Sequence, residues 1–180
     1  MLIDKSKKGK SVALRTALDG ILAALALALA FLEGLLPDVA FLPPGAKLGL
    51  ANVAVMFAVL AVGYADGFAI MLIKSSFVFF TRGIASFIMS VSGGAVSCVV
   101  MIIIVAVSKK LNKEFLYIGI SVICAVVHNI GQVAAASVYM STNLMTSYLP
   151  LLIITGVASG FITGVVLRAV MPAILNKGLK

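Results

Sequence analysis

The chain has 180 residues, of which 62% are hydrophobic and 11% are charged, and its mean hydropathy is +1.20. A soluble domain is about 45–50% apolar and about 25% charged, so a soluble fold of this length could not bury so much apolar surface. The net charge of +8 would suggest a nucleic-acid partner in a soluble protein. If the chain is surrounded by lipid, the net charge has to be explained by where the cations lie along the sequence.

Six apolar segments predict an all-α integral membrane protein, folded as one six-helix transmembrane domain over residues 1–180. Prolines break the chain after the first segment, and a charged loop separates the fourth from the fifth. Helices 2 and 3 are short for a crossing that takes about 20 residues. Five helices plus one re-entrant segment is therefore the main alternative. The predicted helices cover about 17–36, 48–62, 68–80, 84–107, 115–139 and 148–170.

The cations predict a multi-pass protein of the cell membrane with both termini in the cytoplasm. Lys and Arg in short loops stay on the cytoplasmic side. With the N-terminus inside, eleven cations are cytoplasmic, Lys47 and Arg82 are outside, and Lys74 lies within helix 3. Topology and attraction to anionic lipid then account for the net charge, and no nucleic-acid partner is expected. The eleven cytoplasmic cations are Lys5, Lys7, Lys8, Lys10, Arg15, Lys109, Lys110, Lys113, Arg168, Lys177 and Lys180.

Helix 1 carries a row of small residues four apart, namely Gly20, Ala24 and Ala28. Such rows allow another helix to approach closely in lipid. The row is a docking surface for a partner membrane subunit, a packing surface for the protein's own helices, or simply a result of the many alanines in this segment. The residues alone leave all three interpretations open.

The loop after helix 1 holds Pro44, Gly45, Ala46 and Lys47, and it leads into an apolar helix that carries Asn52. Proline restricts the backbone and glycine permits close approach. A helix start with a nearby cation favours anions. The segment is therefore either a ligand-binding loop or an ordinary interhelical turn.

Polar side chains also occur inside the apolar helices. Lys74 either faces a cavity or extends to the membrane surface. His128 and Gln132 share a helix face, with Asn129 beside them. Because lipid offers no hydrogen bonds, these three side chains either join neighbouring helices or line a ligand cavity.

No enzyme is expected, because no catalytic motif is present and the six acidic residues are scattered. Cys98 and Cys124 lie in apolar stretches and indicate core residues. With one histidine and no suitably spaced Cys or carboxylate, neither a metal site nor a cofactor is expected.

The segments 31–37 (FLEGLLP), 44–52 (PGAKLGLAN) and 128–132 (HNIGQ), with Gly93-Gly94 and Ser97 between them, resemble the Gx transporter family. That family is also named heptaprenyl diphosphate synthase component I, and it looks like the substrate-binding S components of energy-coupling-factor transporters. The motifs cover nearly the whole chain. One departure is Lys74, because the family is expected to carry an arginine near this position. Lysine keeps the charge but lacks the planar group with which arginine forms two parallel hydrogen bonds.

The resemblance implies a six-helix subunit that binds a small molecule from outside, under the loop between helices 1 and 2. It also implies docking, through the small residues of helix 1, to a transmembrane coupling subunit driven by two cytoplasmic ATPases. The ligand would be a vitamin, flavin or isoprenoid- or quinone-related molecule, anionic or amphipathic. The predicted binding residues are Lys47, Asn52, Lys74, Arg82, His128, Asn129 and Gln132, with Pro44, Gly45 and Ala46 in the capping loop.

Two other functions fit the sequence. One is a non-catalytic membrane subunit of heptaprenyl diphosphate or quinone synthesis, which would co-purify with a soluble prenyl synthase. The other is a scaffold protein with no ligand cavity.

Overall fold

The computed structural model describes residues 8–35, 49–110, 116–142 and 144–177, and every regular element in these ranges is a helix. The predicted all-α fold class is therefore confirmed, whereas a count of six separate helices is not. The structure has five helical elements: α1 (Lys8–Leu35), α2 (Asn52–Ala61), α3 (Tyr64–Lys110), α4 (Tyr117–Tyr139) and α5 (Leu144–Lys177).

The third element, α3, is a hairpin of two helices that meet at Gly83. This residue has φ 83° and ψ −176°, a conformation essentially restricted to glycine. Across the bend, Ser75 Oγ lies 3.0 Å from Ser90 Oγ, and the rings of Phe79 and Phe87 are 5.6 Å apart. In a straight helix, residues 15 apart would be about 22 Å apart. The halves 64–82 and 84–110 therefore run antiparallel, and predicted helices 3 and 4 form one element.

Four helices of the described residues are long and apolar enough to cross a membrane: Val12–Leu35, Tyr64–Ser108, Tyr117–Tyr139 and Pro150–Pro172. The hairpin segment has 45 residues. It would be about 68 Å long if straight, which is enough for two crossings of a hydrocarbon layer about 30 Å thick. These features make the chain a multi-pass membrane protein.

The short helix α2 has 10 residues, eight of which are buried. Its length of about 15 Å is half of the hydrocarbon thickness. A helix that is apolar all round belongs in a core, and α2 packs against α1, α3 and α5. Neighbouring protein therefore replaces lipid around most of this helix.

Two helix ends extend beyond the sequence prediction. Helix α1 begins at Lys8 instead of about residue 17, and α5 covers residues 144–177 instead of about 148–170. Basic residues precede the apolar stretch of α1, and hydroxyl residues and Pro172 flank that of α5, but none of them breaks the helix. Hydropathy therefore underestimates the length of both helices. Pro172, which was predicted to follow helix 6, lies inside α5.

A row of glycines on α5 packs directly against the backbone of α4. A Cβ added at Gly160 would lie 2.5 Å from Cα of Val122, and one added at Gly156 would lie 2.9 Å from Cα of Val126. Gly164 continues the row one turn later. Small residues four apart thus allow close helix contact here, at a site that the sequence analysis did not identify.

The small-residue row of α1 faces away from the bundle. Gly20, Ala24 and Ala28 are exposed, whereas Ala26 and Ala30 are buried. Among the described residues, no heavy atom lies within 4 Å of a Cβ added at Gly20. The row therefore does not pack against the described helices of the protein.

Candidate functional site

A polar cavity of about 30 Å³ lies at the end of the bundle where α1 ends, α2 begins and α3 bends. The α3 hairpin supplies one wall, and α1 and α4 supply the others. Its volume has room for about two water molecules. The charged and amide side chains among its lining residues are Glu33, Lys74, Arg82, His128 and Gln132, and Ser86 and Ser90 add hydroxyls.

Lys74 is 4% exposed, so its ammonium group does not extend to the membrane surface. Its Nζ atom donates a hydrogen bond of 2.7 Å to Oδ1 of Asn52 at the start of α2. Charged groups within a bilayer are usually placed in the bundle interior beside polar partners. The structure therefore places Lys74 as the cavity interpretation predicted, and it brings Asn52 to the same place.

Glu33 is the cavity residue that the sequence analysis missed. Its side chain is 5% exposed and accepts a hydrogen bond from the backbone N–H of Leu50. It also interacts electrostatically with Lys74 and Arg82. Arg82 in turn donates to the backbone oxygen of Ala30. A carboxylate thus links the end of α1 to the start of α2 and lies near two cations.

His128 and Gln132 reach the cavity from α4 and are 2% and 5% exposed. Gly93 makes this possible, because a Cβ there would lie 2.7 Å from the backbone oxygen of His128 and 2.8 Å from Cγ of Gln132. Within the described part of the chain, Nδ1 of His128 has no hydrogen-bond partner. This buried nitrogen is an unused polar group beside the cavity.

Asn129 lies on another face of α4. Its Nδ2 atom donates to the backbone oxygen of Leu152 at 3.1 Å and to Oγ1 of Thr155 at 3.3 Å. Adjacent residues on a helix point about 100° apart, so Asn129 joins α4 to α5 while His128 faces the cavity. The predicted inclusion of Asn129 among the ligand-binding residues is not supported by this position.

Four predicted loop residues, Pro44, Gly45, Ala46 and Lys47, lie outside the described residues. The described chain resumes at Gly49, which has φ 79°. A Cβ at this position would lie 2.9 Å from Nδ2 of Asn52 and 3.3 Å from Cδ2 of His128. Glycine therefore allows the chain to pass between these two side chains as it enters α2.

The acidic, histidine and cysteine residues of the described ranges include no group of three that could hold a metal ion. Cys98 and Cys124 are buried free thiols. The chemistry that the cavity offers is therefore hydrogen bonding and charge.

The family model of heptaprenyl diphosphate synthase component I matches residues 22–170. The chain belongs to this family. The comparison with curated proteins finds no match. Among solved structures, the chain is similar to the S component of a bacterial ECF transporter, with a TM-score of 0.63 and 20% sequence identity over 92% of this chain and 99% of that chain. This similarity shows that the chain has the same fold as that S component.

Proposed function

We propose that the chain is the S-component-like, substrate-binding subunit of an ATP-driven transporter of the energy-coupling-factor type. The observation that carries this proposal is the cluster of buried cations and amides around one cavity at one end of a membrane bundle. Polar groups at this depth are costly unless they serve one another or a guest molecule. The S-component fold of the solved relative supports the same function.

In this proposal Lys74 and Arg82 attract an anionic group of the ligand. Asn52, His128 and Gln132 hydrogen-bond its polar part, and Lys47 with the loop 44–46 covers it. Ligand pockets are usually about 300–1,000 Å³, so the present cavity is too small for a vitamin. A ligand of that size enters only after the end of the bundle near α1 and α2 has opened.

The ligand test is mass spectrometry of small molecules that remain bound through purification in mild detergent. Gln132→Leu keeps the side-chain volume and removes the amide. We expect it to reduce the retained ligand by about fivefold, as the loss of one hydrogen bond between uncharged groups, worth about 1 kcal/mol, would. Thr155→Val, on α5 where Thr155 accepts a hydrogen bond from Asn129, lies outside the cavity lining; it is the control and should retain the ligand. Equal retention in both variants would contradict the binding site.

The exposed row of Gly20, Ala24 and Ala28 is proposed as the docking surface for a transmembrane coupling subunit. Ala24→Leu adds bulk in the middle of this row. We expect it to abolish co-purification with the coupling subunit and its ATPases while the bundle keeps its stability. Val157→Leu enlarges a side chain that is equally exposed on α5, and it should have no effect.

The family name favours a second candidate, a non-catalytic membrane subunit of heptaprenyl diphosphate synthesis. In that case the partner captured from detergent extracts would be a soluble prenyl synthase instead of ATPases. Identification of the partners retained by the unsubstituted chain therefore separates the two functions.

A further inference from the structure

A second hollow lies deeper in the bundle than the cavity described above. It has a volume of about 10 Å³, room for one water molecule. We call it the hydroxyl chamber, after the four side chains Ser97, Ser121, Ser159 and Thr163, which line it together with Asn52 and Cys124. Ser97 lies seven residues beyond Ser90 of the outer cavity, or about 10 Å further along α3.

The hydroxyl hydrogens of the chamber are all directed to protein acceptors. Ser97 donates to the backbone oxygen of Cys124, and Ser159 donates to that of Gly156. Thr163 donates to the backbone oxygen of Gly160, and Ser121 lies within hydrogen-bond distance of both Thr163 and the sulfur of Met56. The four hydroxyl groups therefore present oxygen lone pairs, and the donors left in the chamber are Nδ2 of Asn52 and the thiol of Cys124.

Only a thin partition separates the chamber from the outer cavity. Gly49 lines both. Asn52 lines the chamber, and its Oδ1 atom holds the ammonium group of Lys74, which lines the outer cavity. Gly49 and the hydrogen bond between Lys74 and Asn52 thus lie where the two hollows adjoin.

We infer that the outer cavity and the hydroxyl chamber are two parts of one binding site, divided by the Lys74–Asn52 hydrogen bond. When an anionic group of the ligand binds the ammonium group of Lys74, the hydrogen bond between Lys74 and Asn52 is lost. The outer cavity and the hydroxyl chamber then become continuous. The chamber then receives the other end of the ligand. This inference rests on the proposed ligand-binding function and adds an inner subsite to it.

The chamber selects a particular chemical class. Its free lone pairs fit a hydrogen-bond donor, and the nearby ammonium of Lys74 disfavours a cation. The ligand is therefore an anion that carries an uncharged hydroxyl or amide N–H group. Lys74 lies opposite residue 91 of the hairpin, which is six residues before Ser97. The anion and the donor are therefore separated by about 9 Å along the helix axis.

Cys124 reports whether the partition opens, because it lines the chamber and is 1% exposed. In a Cys98→Ala background it is the single thiol of the chain. The full-length protein in detergent is treated at pH 7 with anionic 2-sulfonatoethyl or cationic 2-aminoethyl methanethiosulfonate. Asn52→Ala removes the partition, whereas Asn52→Asp keeps its size and its contact with Lys74.

We expect Cys124 to react about tenfold faster in Asn52→Ala than in Asn52→Asp or with Asn52 unchanged, since a hydrogen bond to a charged group is worth one to two powers of ten. With each rate divided by the rate of the same reagent with free 2-mercaptoethanol, the anionic reagent should be faster than the cationic one. Cys98, which lines neither hollow, is the reference in a Cys124→Ala background and should keep its rate.

Equal rates for the three residues at position 52, a cationic reagent that is faster after division by its free-thiol rate, or an accelerated Cys98 would each overturn the inference. None of these outcomes requires a bound ligand. Ligand binding in the outer cavity would still be decided by the mass-spectrometric test, so failure of the subsite and failure of the proposed function are distinguishable.

Discussion

Glu33 and Lys74 approach the same cavity from α1 and α3, and each makes a hydrogen bond to the segment that begins α2. A buried ion without a partner costs several kcal/mol in a medium of low dielectric constant. The two side chains therefore stabilise each other's ionised form and hold the start of α2 between them.

Removal of the Glu33 charge is expected to destabilise the bundle. Glu33→Gln keeps a hydrogen-bond acceptor for Leu50 but leaves two cations near each other, and it should lower the free energy of unfolding by about 1–3 kcal/mol. The double variant with Glu33→Gln and Lys74→Met should lose less free energy of unfolding than the two single variants together, by roughly 0.5–3 kcal/mol. Thermal unfolding in detergent measures all three variants. Simple additivity would show that the two side chains do not interact.

Single residues differ in how well a sequence reveals their role. Lys74, His128 and Gln132 stand out because they are polar within apolar helices, and the structure places all three at the cavity. Glu33 was missed because an acid near a helix end normally lies in water. Asn129, which was predicted together with them, contacts α5 instead, because sequence alone does not say which face of a helix meets which neighbour.

At the scale of elements, apolar segments were predictable, whereas their contacts were not. The hairpin bend at Gly83 falls in the turn predicted after helix 3, since glycine there ends an apolar run. The tight contact between α4 and α5 was not predicted, because the glycine row of α5 lies in a strongly apolar segment. Its spacing of four, shared with the row on α1, is the signal that could have identified it.

Addition of one methyl group should distinguish the glycine row of α5 from the small-residue row of α1. In Gly160→Ala the new Cβ would lie 2.5 Å from Cα of Val122, so α5 has to move away from α4. We expect a loss of about 1–3 kcal/mol in unfolding free energy. Gly20→Ala, on the exposed face of α1, should change it by less than about 0.5 kcal/mol. Comparable melting temperatures for both variants would refute the close α4–α5 contact.

At the scale of the whole molecule, the two ends of the bundle differ. One end has the polar cavity. At the other end, Arg15 of α1 forms a salt bridge of 2.6 Å with Asp66 at the start of α3. The cations of the sequence predict that the Arg15 end is cytoplasmic and that the cavity faces outward.

This orientation is testable by labelling of single cysteines in intact cells, with Cys98 and Cys124 replaced by alanine. Thr142→Cys, just after α4, should react with a membrane-impermeant maleimide from outside. Leu116→Cys, just before α4 and 74% exposed, should react only after the membrane is permeabilised. The reverse pattern would invert the proposed topology and place the cavity in the cytoplasmic half.

The hairpin of α3 also has a consequence for biogenesis. In the proposed orientation, Arg82 at the bend has to cross the whole bilayer during insertion, and Lys74 has to cross part of it. Insertion of an arginine or lysine at mid-membrane depth costs about 2.5–3.5 kcal/mol. The apolar side chains of a single short helix would offset little of this cost on transfer into lipid. Joined at Gly83, the two apolar arms can leave the translocon together, and their combined partitioning into lipid offsets the transfer of both cations.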